Sequence, residues 1–348
     1  MKIDVNLGDR SYPIIIQNNL LQNLDEYLRG NVFVVTNTTV NKLYGKYLKK
    51  HAKKIIVIKD GEKYKNLATF EYISNQLLAS KIERKDTIVA LGGGVVGDIT
   101  GYVASSVLRG VNFIQIPTTL LAQVDSSVGG KVAVNTKYGK NLLGAFYQPK
   151  CVLIDPNVLK TLPERQIKTG LAEVVKYAFI EKTACNTFDE SFTFFDFLST
   201  KDYKQNYENI IARSCQIKAD VVSADEHESN LRAILNLGHT LCHALEKLTN
   251  FKITHGEGVS IGLKFIFDLS LKLGLIEKEY YENAIQLLNS LGLKTDIPRA
   301  FKADKIIELM KSDKKVVAGE INFVVPCGKY DVMRKVLQDE ILIKEILT

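Results

Sequence analysis

The sequence predicts an α/β N-terminal domain built on a largely parallel sheet, followed by a mainly α-helical C-terminal domain. Two observations carry this. Through the first 160 or so of its 348 residues, short β-branched runs alternate with helical stretches, the pattern of strands joined by crossover helices. Beyond Pro163 the texture changes to long segments of helical period with few strand signals. The expected domains are therefore 1–160 and 161–348.

Taken in order, the strands are expected in NVFVVTN (31–37), KKIIVIKDG (53–61), DTIVALGGG (86–94), VNFIQIP (111–117) and CVLIDP (151–156), and the helices at 164–183, 205–225, 231–249 and 256–274, with INFVVP (321–326) as the only late strand. The first residues, MKIDVNLGDRSYPIII, alternate like a strand and lack the apolar run of a secretory signal, and no run is long enough to span a membrane. Five cysteines, odd in number and without a CxxC pair, argue against a disulfide framework and for a reducing, cytoplasmic setting. The net charge of +7 is dispersed among acidic residues, which suits a small anionic ligand; nucleic acid is not expected, because no basic stripe is interleaved with aromatics.

The strand-like Thr87 to Leu91 runs into Gly92, Gly93, Gly94, Val95, Val96, Gly97 and Asp98, with a helix-compatible stretch behind it. Such glycines let backbone N–H groups approach a pyrophosphate at a helix N-terminus, so a nucleotide site is expected. It lies on about the third strand instead of the first, and no acidic residue follows at the usual interval, so an ordinary first-unit site is not expected. Thr118 and Thr119 end the next strand, where hydroxyls can cap a helix or reach phosphate and ribose. Asp60-Gly61-Glu62, followed by Lys65, could grip ribose hydroxyls. Asp125, Lys131, Lys140 and Asn141 fall in QVDSSVGGKVAVNTKYGKN, which reads as a long polar binding loop.

Placed on one helix at about 100° per residue, Arg232, Asn236, His239 and His243 share a narrow stripe, while Ile234, Leu237, Leu241, Leu245 and Leu248 face the other way. Two imidazoles one turn apart, in line with a guanidinium and an amide, suit a metal together with an anionic ligand. His255 follows in a turn that opens the next helix. Histidine and carboxylate ligands suit zinc, and spacing leaves open which histidines ligate. A carboxylate could come from Glu173, which shares a helix face with Lys176; taken locally the two are an ordinary ion pair.

GGGVVGDITGYVA, IPTTLLAQVDSSVGGK, GKNLLGAFYQP, GLAEVVKYA, LRAILNLGHTLCHALE, HGEGV and SDKK, in this order, resemble the blocks of the dehydroquinate synthases, within the sugar-phosphate cyclases. The resemblance implies a nucleotide-binding α/β domain and a helical metal-binding domain, an NAD- and zinc-dependent lyase of the shikimate pathway with cobalt as an alternative metal, and a homodimer acting on a sugar-acid phosphate. It implies Glu173, His239 and His255 as metal ligands. Asp125, Lys131, Lys176, Lys218, Arg232, Asn236 and His243 would line the reacting centre, with Asn141 and Lys314 also binding substrate and Arg109 reaching a neighbouring subunit's site. Glu62, Lys65, Gly93, Gly94, Asp98, Thr118, Thr119 and Lys140 match NAD-contacting positions. Asn37 departs from the aspartate expected near the adenosine ribose. The rival readings are a cyclase of other sugar phosphates, a metal-dependent polyol or alcohol dehydrogenase, and a non-catalytic nucleotide-binding module.

Overall fold

The computed structural model describes residues 1–185, 188–298, 300–311 and 321–348. They form two compact units: Met1–Pro163 with Tyr207–His227, and Glu164–Asn206 with Glu228–Thr348.

The first unit carries strands β1 (Lys2–Val5), β2 (Tyr12–Ile16), β3 (Val32–Asn37), β4 (Ala52–Ile58), β5 (Thr87–Gly92), β6 (Asn112–Pro117), β7 (Lys131–Thr136), β8 (Gly139–Phe146) and β9 (Cys151–Ile154), with helices α1 (Thr38–Tyr44), α2 (Leu67–Ala79) and α3 (Gly94–Ser106). Seven of these strands form one sheet in the order β1-β2-β9-β6-β5-β3-β4. Only the edge pair β1–β2 is antiparallel. The β-branched runs follow from burial on both faces: along β3, Phe33 and Val35 enter one core with α2 and α3, while Val32 and Val34 enter another with Leu20, Leu24 and Leu153. Helix α6 (Tyr207–Ala224) belongs to this unit and packs its buried Ile210, Ile211 and Ile217 side toward β1, β2 and the turn at 122–126.

The glycine turn ends the fifth strand in chain order and not the third, because β1 and β2 precede β3, and the sheet order explains its place. The chain goes from β3 to β4 on one side and then to β5 on the other side of β3. The carboxyl ends of β3 and β5, at Asn37 and Gly92, therefore flank the topological switch point, where open α/β sheets bind ligands. The stretch 123–141 is not the long loop expected from its polar residues. It is a π-helical turn, Ala122–Ser126, followed by the hairpin β7–β8. Its strand residues Val132 and Val134 belong to the α2–α3 core, and that packing overrides a loop-like composition.

The second unit is built on α4 (Glu164–Ala184), whose span from Thr169 to Glu181 is buried throughout. The other helices are α5 (Phe194–Thr200), α7 (His239–Leu248), α8 (His255–Lys272), α9 (Lys278–Ser290), α10 (Ala303–Lys311) and α11 (Glu340–Leu347). Phe179 of α4 meets Phe267 of α8 at 4.6 Å between ring centroids, and Phe267 meets Tyr280 of α9 at 5.7 Å. The late strand β10 (Ile321–Gly328) is not alone, since β11 (Asp331–Leu337) pairs with it antiparallel. DVMRKVL interleaves Arg and Lys with its apolar residues, so hydropathy did not mark it as a strand.

Residues 231–249 are not one helix either. Leu231–Asn236 is a 3-10 turn, Gly238 takes φ +76, and α7 starts only at His239. At Gly238 an added Cβ would sit 2.9 Å from the Leu263 nitrogen and 3.1 Å from the Val259 oxygen, so both the left-handed backbone and the approach of α8 require glycine. G238A is expected to destabilise the protein by about 1–3 kcal/mol. An unchanged urea midpoint would show that the crossing with α8 tolerates a side chain.

Candidate metal and cofactor sites

In the second unit the Glu173 carboxylate is fully buried on α4. Its Oε1 lies 3.1 Å from His255 Nε2 and 3.5 Å from His239 Nε2, while its Oε2 pairs with Lys176 Nζ. Each histidine is the first residue of its helix, placed by Gly238 in one case and by the Thr254 cap in the other. One carboxylate oxygen and two imidazole nitrogens within 4.8 Å of one another form a donor set of two histidines and one carboxylate that fits zinc. His239 Nδ1 lies 3.0 Å from the Leu237 carbonyl, an arrangement that directs Nε2 toward the carboxylate as a lone-pair donor. Burial lowers the pKa of His239 to about 3 against the opposing charge of Glu173, with Lys176, His255 and His243 adding to the fall; the ring is neutral, as a ligand must be. For His255 burial also favours the neutral ring, but contact with Cys242, Glu173 and Glu246 raises its pKa well above the ordinary value.

His243 is not one of the three residues of this cluster. Its ring stands 5.7 Å from that of His239, nearly perpendicular. With His239 and Asn236 it lines a cavity of about 310 Å³ that also takes in Glu228, Arg334 and Thr240. Arg232 lies on the 3-10 turn and is 2 % exposed, so its guanidinium is committed inside the protein. Asn236 donates to Glu228 Oε1 at 2.8 Å and to the Ala233 carbonyl at 3.0 Å. The four-residue stripe therefore splits at Gly238, with Arg232 and Asn236 on one segment and His239 and His243 on another. Lys314, expected to bind substrate, lies outside the described residues.

In the first unit, Lys65 Nζ pairs with Asp98 Oδ2 and donates to Asn141 Oδ1 at 2.6 Å. Asn135 Nδ2 donates to Glu62 Oε1 at 2.7 Å, and Asn135 Oδ1 accepts from the Asn141 N–H at 3.0 Å. Glu62, Lys65, Asp98 and Asn141 are thus brought together. Burial raises the pKa of Asp98, opposed by the Lys65 charge. Gly93 caps α3 and Gly94 is its first residue; a Cβ on Gly93 would come 2.9 Å from Thr119 Cγ2. Thr119 Oγ1 accepts from the Ala122 N–H at 3.2 Å and is a cap. Thr118 differs: its N–H donates to the Gly92 carbonyl at 3.0 Å, while its buried Oγ1 has no partner among the described residues. An unmatched hydroxyl beside a glycine turn at the switch point fits a dinucleotide. Lys140 follows Gly139 on β8. Asn37, where a ribose contact was expected, caps α1 by accepting from the Val40 N–H at 2.8 Å, and Asp60 accepts from the Thr39 N–H at 3.2 Å.

Lys218 of α6 donates to Asp125 Oδ1 at 2.7 Å and also to the Asp125 carbonyl. Asp125 sits in the π-helical turn, a geometry that recurs at functional sites. Lys131 is exposed at the start of β7. Arg109 is exposed in a run, Leu108-Arg109-Gly110, with φ of 52, 64 and 118. Sequence reasoning missed four residues. Cys242 and Glu246 continue the His239–His243 stripe by helical spacing, so extending it one turn would have found them; Glu228 and Asn135 lie in segments without a periodic signal.

Residues 55–169 match the family description 3-dehydroquinate synthase N-terminal, and residues 170–316 match 3-dehydroquinate synthase C-terminal. The chain is 47% identical to a 3-dehydroquinate synthase of Saccharophagus degradans, covering 93% of this chain and 91% of that protein. Among solved structures, a 2-deoxy-scyllo-inosose synthase complexed with carbaglucose-6-phosphate, NAD+ and Co2+ is similar at TM-score 0.88 and 27% identity, covering 100% of this chain and 99% of that one. A 2-epi-5-epi-valiolone synthase from Streptomyces hygroscopicus with NAD+ and Zn2+ bound is similar at TM-score 0.86 and 25% identity, covering 98% and 97%.

The helix that begins at His255 is held by a capping box in which Thr254 and Glu257 bond each other's N–H groups. Burial alone would raise the pKa of Glu257, but hydrogen bonds from Arg165, Lys294 and the Thr254 N–H bring it down to about 2. A depressed carboxylate pKa adds stability that is complete above the unfolded value and disappears as pH falls through the folded one. E257Q is therefore expected to lose about 1–2 kcal/mol at neutral pH, discounted because Arg165 and Lys294 are solvent-screened. The gap from wild type should narrow below pH 4.5 and close toward pH 2 in urea titrations. A gap independent of pH would assign the loss to helix capping alone.

Proposed function

Since this chain belongs to the 3-dehydroquinate synthase family, we infer that it converts 3-deoxy-D-arabino-heptulosonate 7-phosphate to 3-dehydroquinate and inorganic phosphate, a step of aromatic amino-acid biosynthesis. The single observation that carries the reading into the chemistry is the convergence of Glu173, His239 and His255 on one point beside Lys176. These three residues would hold zinc, and Glu62, Lys65, Gly93, Gly94, Asp98, Thr118, Thr119 and Lys140 would hold NAD. When bound, zinc acidifies a substrate hydroxyl and NAD removes and later restores a hydride, so oxidation, phosphate elimination, reduction, ring opening and aldol closure end with no net redox change.

The chain's own side chains supply positioning and charge. Lys176, held against Glu173, places a cation beside the metal ligands. Arg232, Asn236, His243 and Lys314 are assigned to the carboxylate and phosphate ends of the substrate, with Lys131 and Asn141 as further anion and hydroxyl contacts. Lys218, held by the half-buried Asp125 carboxylate, is oriented for an anionic group. Asn236 donates to Glu228, and both line the cavity that His243 faces. The Arg232 and Asn236 pair suits a carboxylate-bearing substrate and so favours this reading over a cyclase of simple sugar phosphates.

The active unit is a cytoplasmic homodimer in which Arg109 serves the neighbouring subunit. The positive-φ run at 108–110, a costly conformation for leucine and arginine, supports a role for the exposed side chain it presents. Light scattering should give twice the chain mass, and a single-chain mass at assay concentration would remove Arg109 from the mechanism.

The deciding assay supplies the heptulosonate phosphate with NAD and follows phosphate and NADH together. Phosphate should be released without accumulation of NADH, and either a chelator or H239A should reduce turnover at least about a hundredfold, the loss of several kcal/mol of Lewis-acid stabilisation. Stoichiometric NADH without phosphate would make the protein a dehydrogenase.

A further inference from the structure

We propose that Glu246 is a positioning residue for the metal centre: its carboxylate receives the His255 ring nitrogen that faces away from Glu173, and so orients and polarises His255 as a ligand. This rests on the zinc assignment of Glu173, His239 and His255.

Along α7 the residues His239, Cys242, His243 and Glu246 follow helical spacing and form one inner stripe. His255 lies across that stripe. Its Nε2 is 3.1 Å from Glu173 Oε1, while on the opposite edge Nδ1 is 3.6 Å from Glu246 Oε1 and 3.7 Å from Cys242 Sγ. The ring is therefore held between two carboxylates. Glu246 is 6 % exposed, on a helix otherwise buried through Leu241, Cys242, Ala244 and Leu245. A carboxylate is costly there unless charged or polar groups receive it, and His255 is such a group.

A histidine that ligates through one nitrogen carries its proton on the other, and an acceptor at that proton sets the tautomer, fixes the ring plane and raises ligand basicity. The two histidines differ in this respect. His239 Nδ1 has the neutral carbonyl of Leu237 at 3.0 Å, whereas His255 Nδ1 has a carboxylate and a thiol. A carboxylate is much the stronger acceptor, and its charge also favours a nearby cation. Gly258 leaves room for the thiol, since a Cβ there would lie 2.7 Å from Cys242 Sγ; the thiol makes a weak hydrogen-bond contact with the ring at 3.7 Å, and the Glu246 carboxylate faces the same nitrogen at ion-pair distance.

The test measures zinc dissociation constants by competition with a chromophoric chelator on the full chain, together with the visible spectrum of the cobalt form. E246Q, which keeps the shape and loses the charge, should bind zinc about tenfold more weakly, and E246A about 10–100-fold. The cobalt bands should shift in both, E246D should recover part of the affinity, and C242A should bind zinc as wild type does. Wild-type affinity and spectrum in a folded E246Q would overturn the proposal, as would lowered thermal stability with unchanged affinity. Equal weakening in C242A would transfer the role to the thiol, and two zinc ions per chain would make Glu246 a ligand; either result overturns it. A wild-type protein that takes up no zinc would instead sink the metal assignment itself.

Discussion

A carboxylate with no access to water, Glu173 in the middle of α4, is the constraint around which the second unit is arranged. Burying such a charge alone is prohibitive, so cationic or cation-binding partners must be delivered to it. Lys176 comes from the same helix one turn on. The histidines come from two other helices, each starting at the ligand. That requirement accounts for local features with no other evident purpose: the left-handed Gly238, the close crossing of α7 and α8, and the Thr254–Glu257 capping box with its two basic partners. Changes at any of these would move a ligand before they moved the core.

The first unit solves a different problem. Its parallel sheet is buried on both faces, so binding groups can emerge only at strand ends. The reversal of strand order around β3 makes the ends of β3 and β5 a topological switch point, and the glycine turn, Thr118 and Thr119 lie at those strand ends. The Lys65–Asp98 pair then links the segment after β4 to helix α3, while Asn135 and Asn141 of the hairpin bond Glu62 and Lys65. The polar composition of 123–141 thus supplies hydrogen-bond partners to Glu62 and Lys65, although its backbone is a π turn and two strands.

Strands β3, β4, β5, β6 and β9 and helices α4, α6 and α8 could be read directly, because alternation and helical period are imposed by the solvent boundary along each element. The hairpins could not. Strand β11 mixes basic and apolar residues, and β7–β8 is stabilised by contacts with α2 and α3 that lie far away in sequence. The stripe at 232–243 illustrates both outcomes. Its residue types pointed to a metal and an anion, while the assumption of continuous helix failed at a glycine whose conformation is dictated by α8.

Residue chemistry is legible along the chain: which carboxylates, imidazoles, lysines and glycines exist, and in what order of blocks, enough to place the chain in its family. Only the tertiary structure decided which of them meet. It brought His239 and His255 to one oxygen of Glu173, set Glu246 and Cys242 behind His255, turned Thr119 into a cap, and left the Thr118 hydroxyl unmatched among the described residues. The physical reason is that a buried polar group is satisfied by whatever the packing of distant elements brings within about 3 Å, and local spacing along the chain does not encode that distance.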